Sequence, residues 1–203
     1  MKVLTNGPDT ARRRLLLAHG AGAGMEHDVM QTLAQGLACD DIQVIRFEFP
    51  YMQKTRADGR RRPPDREPVL LDCWRQVVAE FAHPGLFMAG KSMGGRMASL
   101  VADELQPAGL ILLGFPFYPP GKPERFRGQH LASITTPTLL LQGERDTFGN
   151  REAVAEYDLA DTVQTRWITD GDHGFKPRKA SGATLESNLA CVIESMRSFI
   201  REH

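Results

Sequence analysis

An excess of charge of either sign is missing from this chain of 203 residues. Lys plus Arg and Asp plus Glu number 25 each, so the formal net charge is zero. A balanced chain has no overall field to draw it to nucleic acid or to an anionic membrane. Cysteine is scarce. Cys39, Cys73 and Cys191 are odd in number, widely spaced and form no CxxC pair, which reads as reduced thiols and not as a disulfide framework. No apolar run reaches the length needed to cross a bilayer, and Met1–Arg14 lack the apolar stretch of a secretory signal. These absences together lead to the expectation of a cytoplasmic protein with no membrane span. Internal repeats are absent as well. His27, His83 and His130 belong to no motif and read as surface or loop residues. No histidine pair has metal-ligand spacing with a carboxylate or thiolate on one helix, so neither metal nor cofactor is expected.

What is present is an alternation. Apolar runs lie at Leu15–Ala18, Val44–Phe49, Leu86–Ala89, Leu110–Leu113, Thr138–Leu141 and Val163–Ile168. The second and last alternate partly with polar residues, as strands nearer an edge do, and the middle ones are almost wholly apolar, as strands covered on both faces are. Between them lie helical stretches at 25–38, 68–82 and 93–105, a weaker one at 151–160, and a last one striped by Leu185, Leu189, Val192, Ile193, Met196, Phe199 and Ile200. Such alternation predicts an α/β fold: one domain over 1–203, a mostly parallel sheet of about six or seven strands, and helices on both faces. Met1–Thr5 could add an edge strand. The strand C-termini then share one edge, where ligands bind. Two stretches, 51–68 and 115–127, follow strand ends and read as irregular loops over that edge, the first as a short lid-like segment.

Gly90-Lys91-Ser92-Met93-Gly94-Gly95 matches G-x-S-x-G between an apolar strand and a helical run. A serine on such a turn has its hydroxyl lifted clear of the sheet, and the glycines permit the close approach the turn demands. The helix that begins there points free N–H groups at the reacting atom, so the Met93 N–H can donate to a developing oxyanion. Alone, the pattern is equally a serine in a connecting turn. Its companions decide the matter. Gln142-Gly143-Glu144-Arg145-Asp146 follows one later strand, and Asp170-Gly171-Asp172-His173-Gly174-Phe175 the next. The order Ser92, Asp146, His173 is that of a nucleophile, an orienting acid and a base on one sheet edge. Glu144 is the next candidate for the acid. Asp170 and Asp172 share the loop of His173 and read as turn formers, and no carboxylate directly follows Leu113.

His19-Gly20-Ala21-Gly22-Ala23-Gly24 follows the first strand. Its glycines do not match G-x-G-x-x-G, and no P-loop Lys–Ser/Thr follows. The Ala21 N–H reads as the second oxyanion donor, with His19 pinning the loop. The HG-rich loop, GKSMGGR, GERD and GDHGF, in this order, resemble the α/β-hydrolase superfamily over nearly the whole chain. The small size and the GKSMGGR wording resemble a short, lid-poor branch shared by bacterial proteins and a subunit of an animal histone-acetyltransferase complex. The resemblance implies esterase-like chemistry on a small-molecule ester or acyl substrate, with Ser92, Asp146 and His173 as triad and Ala21 and Met93 as oxyanion donors. It leaves open a catalytically silent binding or scaffold role, and acyl transfer or perhydrolase chemistry by the same triad. Phe115, Phe117, Tyr118 and Phe148 are candidates for an apolar acyl pocket or for ordinary loop packing. Arg61, with Arg60, Arg62 and Arg66, is a candidate for an anionic substrate group or a solvated basic loop.

Overall fold

The strands form because their side chains alternate between two apolar layers. In the computed structural model, which describes residues 2–203, the elements in chain order are β1 (Val3–Asn6), β2 (Arg13–Ala18), α1 (Asp28–Leu37), β3 (Ile42–Phe47), α2 (Pro50–Asp58), α3 (Glu67–Glu80), β4 (Leu86–Lys91), α4 (Met93–Leu105), β5 (Gly109–Leu113), β6 (Thr138–Gly143), α5 (Arg151–Val154), β7 (Val163–Ile168) and α6 (Leu185–Glu202). They build one seven-stranded sheet of order β1-β3-β2-β4-β5-β6-β7. Every pairing is parallel except that of β1 with β3. The expected edge strand is thus Val3–Asn6, and Met1 lies outside the described residues.

Leu16, Ile45, Met88, Leu110 and Leu140 pack on one face with Trp74 of α3 and Met97 and Val101 of α4. Leu15, Leu17, Val44, Phe87, Ile111 and Leu141 pack on the other with Leu33 and Leu37 of α1 and Val192, Met196 and Phe199 of α6. Burying one such side chain contributes about 1.5–3 kcal/mol, so the central strands are a firm base for whatever stands at their ends. The polar residues of β3 are not at the solvent edge. Gln43 and Arg46 are buried on opposite faces of β3, where Gln43 bonds Arg14 and Asp9 while Arg46 donates to Met25 O and Asn6 Oδ1. β7 is the second edge strand, with exposed residues alternating along it.

The expectation of an irregular stretch over 51–68 holds for residues 59–66 and is corrected on either side of them. Its first part is the helix α2, opened by Pro50 and closed by Gly59 at φ 73°, and its end is the first turn of α3. Proline at a first helical position and glycine just past the last are ordinary helix bounds. The helix is tied down on three sides. Tyr51 is buried, its N–H donates to Asp65 Oδ2 at 2.8 Å, and Arg56 clasps the buried Glu48. The weak helix at 151–160 shortens to Arg151–Val154.

Candidate active site

The turn after β4 brings the serine to the rim. Ser92 has φ 51° and ψ −116°, a backbone conformation an L-residue holds only when its surroundings enforce it. The enforcement is visible. A Cβ at Gly90 would overlap the backbone of Gly94 and Gly95, and one at Gly94 would overlap the His19 carbonyl oxygen. Strand, turn and helix are therefore packed backbone to backbone. Ser92 N–H still donates to Leu113 O at 2.9 Å, and Trp74 Nε1 donates to Gly94 O at 3.2 Å, so the turn is held from both sides.

His173 meets it from the loop after β7. Its Nε2 lies 2.9 Å from Ser92 Oγ, and its Nδ1 lies 2.8 Å from Asp146 Oδ2. A carboxylate only accepts, so Nδ1 carries the hydrogen and Nε2 is free to accept from the serine hydroxyl. Asp146 is wholly buried and also accepts from Gln142 Nε2 at 3.0 Å and from Phe148 N–H at 2.8 Å. Three residues far apart in the chain thus form one hydrogen-bonded series. The rival carboxylates are engaged elsewhere: Glu144 accepts from Asp170 N–H and Arg151, Asp170 pairs with Arg178 and Arg145, and Asp172 accepts from Gly174 and Lys176 N–H groups.

Of the two expected oxyanion donors, one follows Ser92 directly in the chain and the other borders its cavity. Met93 is the first residue of α4, so its N–H has no intrahelical acceptor. Ala21 lines the same cavity as Ser92 and His173. The loop carrying Ala21 is pinned by His19, whose Nε2 accepts from Phe49 N–H at 3.1 Å while Nδ1 donates to Gly20 O at 2.7 Å. Burial holds the His19 ring below its ordinary basicity, which suits the neutral form this pattern requires. Tyr51 adds a second pin, its hydroxyl reaching Ala21 O at 3.1 Å and Gly20 O at 3.3 Å. Sequence reasoning missed Tyr51 because α2 was read as a loop.

The cavity over Ser92 has a volume of about 350 Å³ and is walled by Gly20–Ala23, His27, Val29, Met30, Lys91, Phe148 and Gly174. Of the aromatic candidates only Phe148 belongs to it, with its ring 4.2 Å from that of His173. The others require correction: Phe115, Phe117 and Tyr118 turn back into the core beneath the loop, where Phe115 and Phe117 are fully buried edge to face at 4.8 Å. The apolar wall comes instead from Val29 and Met30 at the start of α1. His27, read as a plain surface residue, caps that helix and borders the cavity. Arg61 is exposed and borders a separate cavity of about 500 Å³ across the glycine-rich loop, while its neighbour Arg62 is bonded to Asp58.

Lys91 is the least expected feature. It stands on the same side of β4 as Phe87 and Ala89, fully buried at its Nζ, which has no hydrogen-bond partner among the described residues. Desolvation pulls its ammonium down to about 8, against the opposing effect of Asp146 and Asp172. No cluster of three His, Cys, Asp or Glu able to hold a metal occurs among the described residues, and none of their helices is long and apolar enough to cross a membrane.

Comparison with known proteins adds the lineage. The chain is similar in structure to an alpha-beta serine hydrolase homologue from Coxiella burnetii, with TM-score 0.69 and 19% identity over 98% of this chain and 90% of that one. It is similar to XC6422 from Xanthomonas campestris, a serine hydrolase without lid, with TM-score 0.67 and 20% identity over 98% and 87%. It is also similar to Est1E from Butyrivibrio proteoclasticus, with TM-score 0.71 and 16% identity over 98% and 93%. At such identities these likenesses speak for the fold. A family model described as "Alpha/beta hydrolase domain" matches residues 11–201. With that match running almost from end to end over a sheet of the same design, the chain belongs to the alpha/beta hydrolase domain family.

Proposed function

We propose that the protein is a serine hydrolase that cleaves a carboxylic ester or thioester with an apolar acyl group through an acyl-enzyme. The observation that carries this reading is the Ser92–His173–Asp146 series at 2.9 and 2.8 Å, opening onto a cavity. Ser92 Oγ attacks the carbonyl carbon while His173 Nε2 takes its proton. The carbonyl oxygen, now an oxyanion, accepts from the N–H groups of Met93 and Ala21, each worth on the order of 3 kcal/mol to the transition state. His173 then passes the proton to the leaving oxygen or sulfur. Water repeats the cycle on the acyl-enzyme. Val29, Met30 and Phe148 suit the acyl chain. Free thiols at Cys39, Cys73 and Cys191 suit a reducing compartment such as the cytoplasm.

The test is labelling by a fluorophosphonate probe, followed by turnover of a panel of 4-nitrophenyl esters of increasing acyl length. Wild-type protein labels, and Ser92→Ala neither labels nor turns over. Equal labelling of the two proteins refutes the assignment of the nucleophile. Absence of labelling in a folded wild type would favour a silent binding role instead.

A further inference from the structure

A buried charge without a partner calls for a reason, since a lysine Nζ ordinarily finds acceptors or water. Lys91 precedes the serine, and its side chain passes Gly20 and ends with its Nζ beside Gly114 and Phe175. Its seat is made by Gly114, at φ 61°. A Cβ placed on Gly114 would stand 2.8 Å from Lys91 Nζ, 3.2 Å from the His173 carbonyl oxygen and 3.5 Å from Asp146 Oδ2. The ammonium, the acid and the backbone of the base thus crowd around one glycine. The ring of Phe175 closes the far side, 5.5 Å from Nζ. The charged groups that act on the ammonium are Asp146, from the loop after β6, and Asp172, from the loop after β7. Asp146 accepts from His173 Nδ1, and Lys91 is the cation that shares the surroundings of Gly114 with it.

The geometry points to Lys91 as a positioning residue of the catalytic set: its buried ammonium balances the Asp146 carboxylate in the resting enzyme and opposes a second positive charge on His173, so that the imidazole stays an available base in mildly acidic solution. This rests on the serine-hydrolase reading only for its consequence in turnover; the electrostatic claim stands on the structure alone. Lys91 keeps its proton below about 8, and so it is cationic throughout the range in which a histidine ordinarily titrates. A unit charge at such close quarters moves a neighbouring titration by on the order of one pH unit.

The experiment is an NMR titration of the His173 ring in wild type and in Lys91→Met, a nearly isosteric change, with the resonance assigned from a His173→Gln variant. Lys91→Gln is the second variant should the first not fold. The His173 midpoint is expected to rise by about one pH unit on removal of the charge, and the acid limb of kcat/KM for 4-nitrophenyl butyrate to move upward with it. A midpoint that stays in place, or falls, overturns the proposal, because a merely structural lysine would leave it unmoved. A midpoint that rises in a protein that hydrolyses no ester supports the role of Lys91 and refutes the hydrolase reading, so the two fail separately.

Discussion

Replacing Lys91 by methionine is expected to make the protein more stable. The lysine sits in the fold with its ammonium drawn from an ordinary 10.5 to about 8 by desolvation. The folded state therefore binds the proton less tightly than the unfolded chain does. Stability for such a group rises with pH, because the unfolded state holds more protons between the two values. Below about 8 the whole penalty is present, and it is relieved as the pH climbs towards 10.5. The penalty is roughly 3 kcal/mol at pH 7 and falls to roughly 1.4 kcal/mol by pH 9.5. A side chain of similar volume without the charge avoids it. Urea unfolding of both proteins at several pH values measures the difference, and at neutral pH the variant should melt roughly 6–12 °C higher. The result that would refute the reasoning is a variant less stable than wild type, or a gap that does not narrow as the solution is made alkaline. Either would mean that the ammonium has partners in solution that offset its burial.

Other perturbations separate site from scaffold. Gly94→Ala places a methyl against the His19 carbonyl oxygen and Ala18; a loss of about 1–3 kcal/mol should appear in thermal melts, together with slowed fluorophosphonate labelling. Phe115→Ala should cost about 3–5 kcal/mol without altering acyl-length preference, because the ring is in the core, whereas Phe148→Ala should change KM across the ester panel with a smaller effect on melting. His130 is pulled down to about 4, first by burial and then by Arg96, while its Nε2 bonds Ser99. Its contribution to stability is present above 6.5 and is lost as the pH falls towards 4; His130→Gln should therefore flatten the dependence of the urea midpoint on pH in that window.

The six apolar runs are legible as strands because a strand covered on both faces must be apolar at nearly every position. The same reasoning fails for α2. Its residues, PYMQKTRAD, carry no apolar stripe, and only Tyr51 is buried; the helix is held by Asp65 and Glu48 through contacts that no local pattern encodes. Its two bounds, Pro50 and Gly59, were the signal available. Ser92, Asp146 and His173 can be found from sequence since each follows a strand end in a fixed order, and the structure brings the three together. Phe115 and Phe117 mislead because a loop's position says nothing of which way its side chains turn. Lys91 was readable in principle: two residues beyond Ala89 on β4, it shares that residue's buried face by the parity of the strand.

Gly114 also narrows the ways this framework can change. The end of β5 stands close enough to Asp146 that an acid grafted there is the nearest alternative for orienting His173. A backbone turned to φ 61° strains any side chain there, and a Cβ would press on the His173 carbonyl oxygen at 3.2 Å and displace the lysine head, so that route is costly. Relocating the carboxylate would mean moving the lysine head as well, so the address of the acid is tied to residue 91.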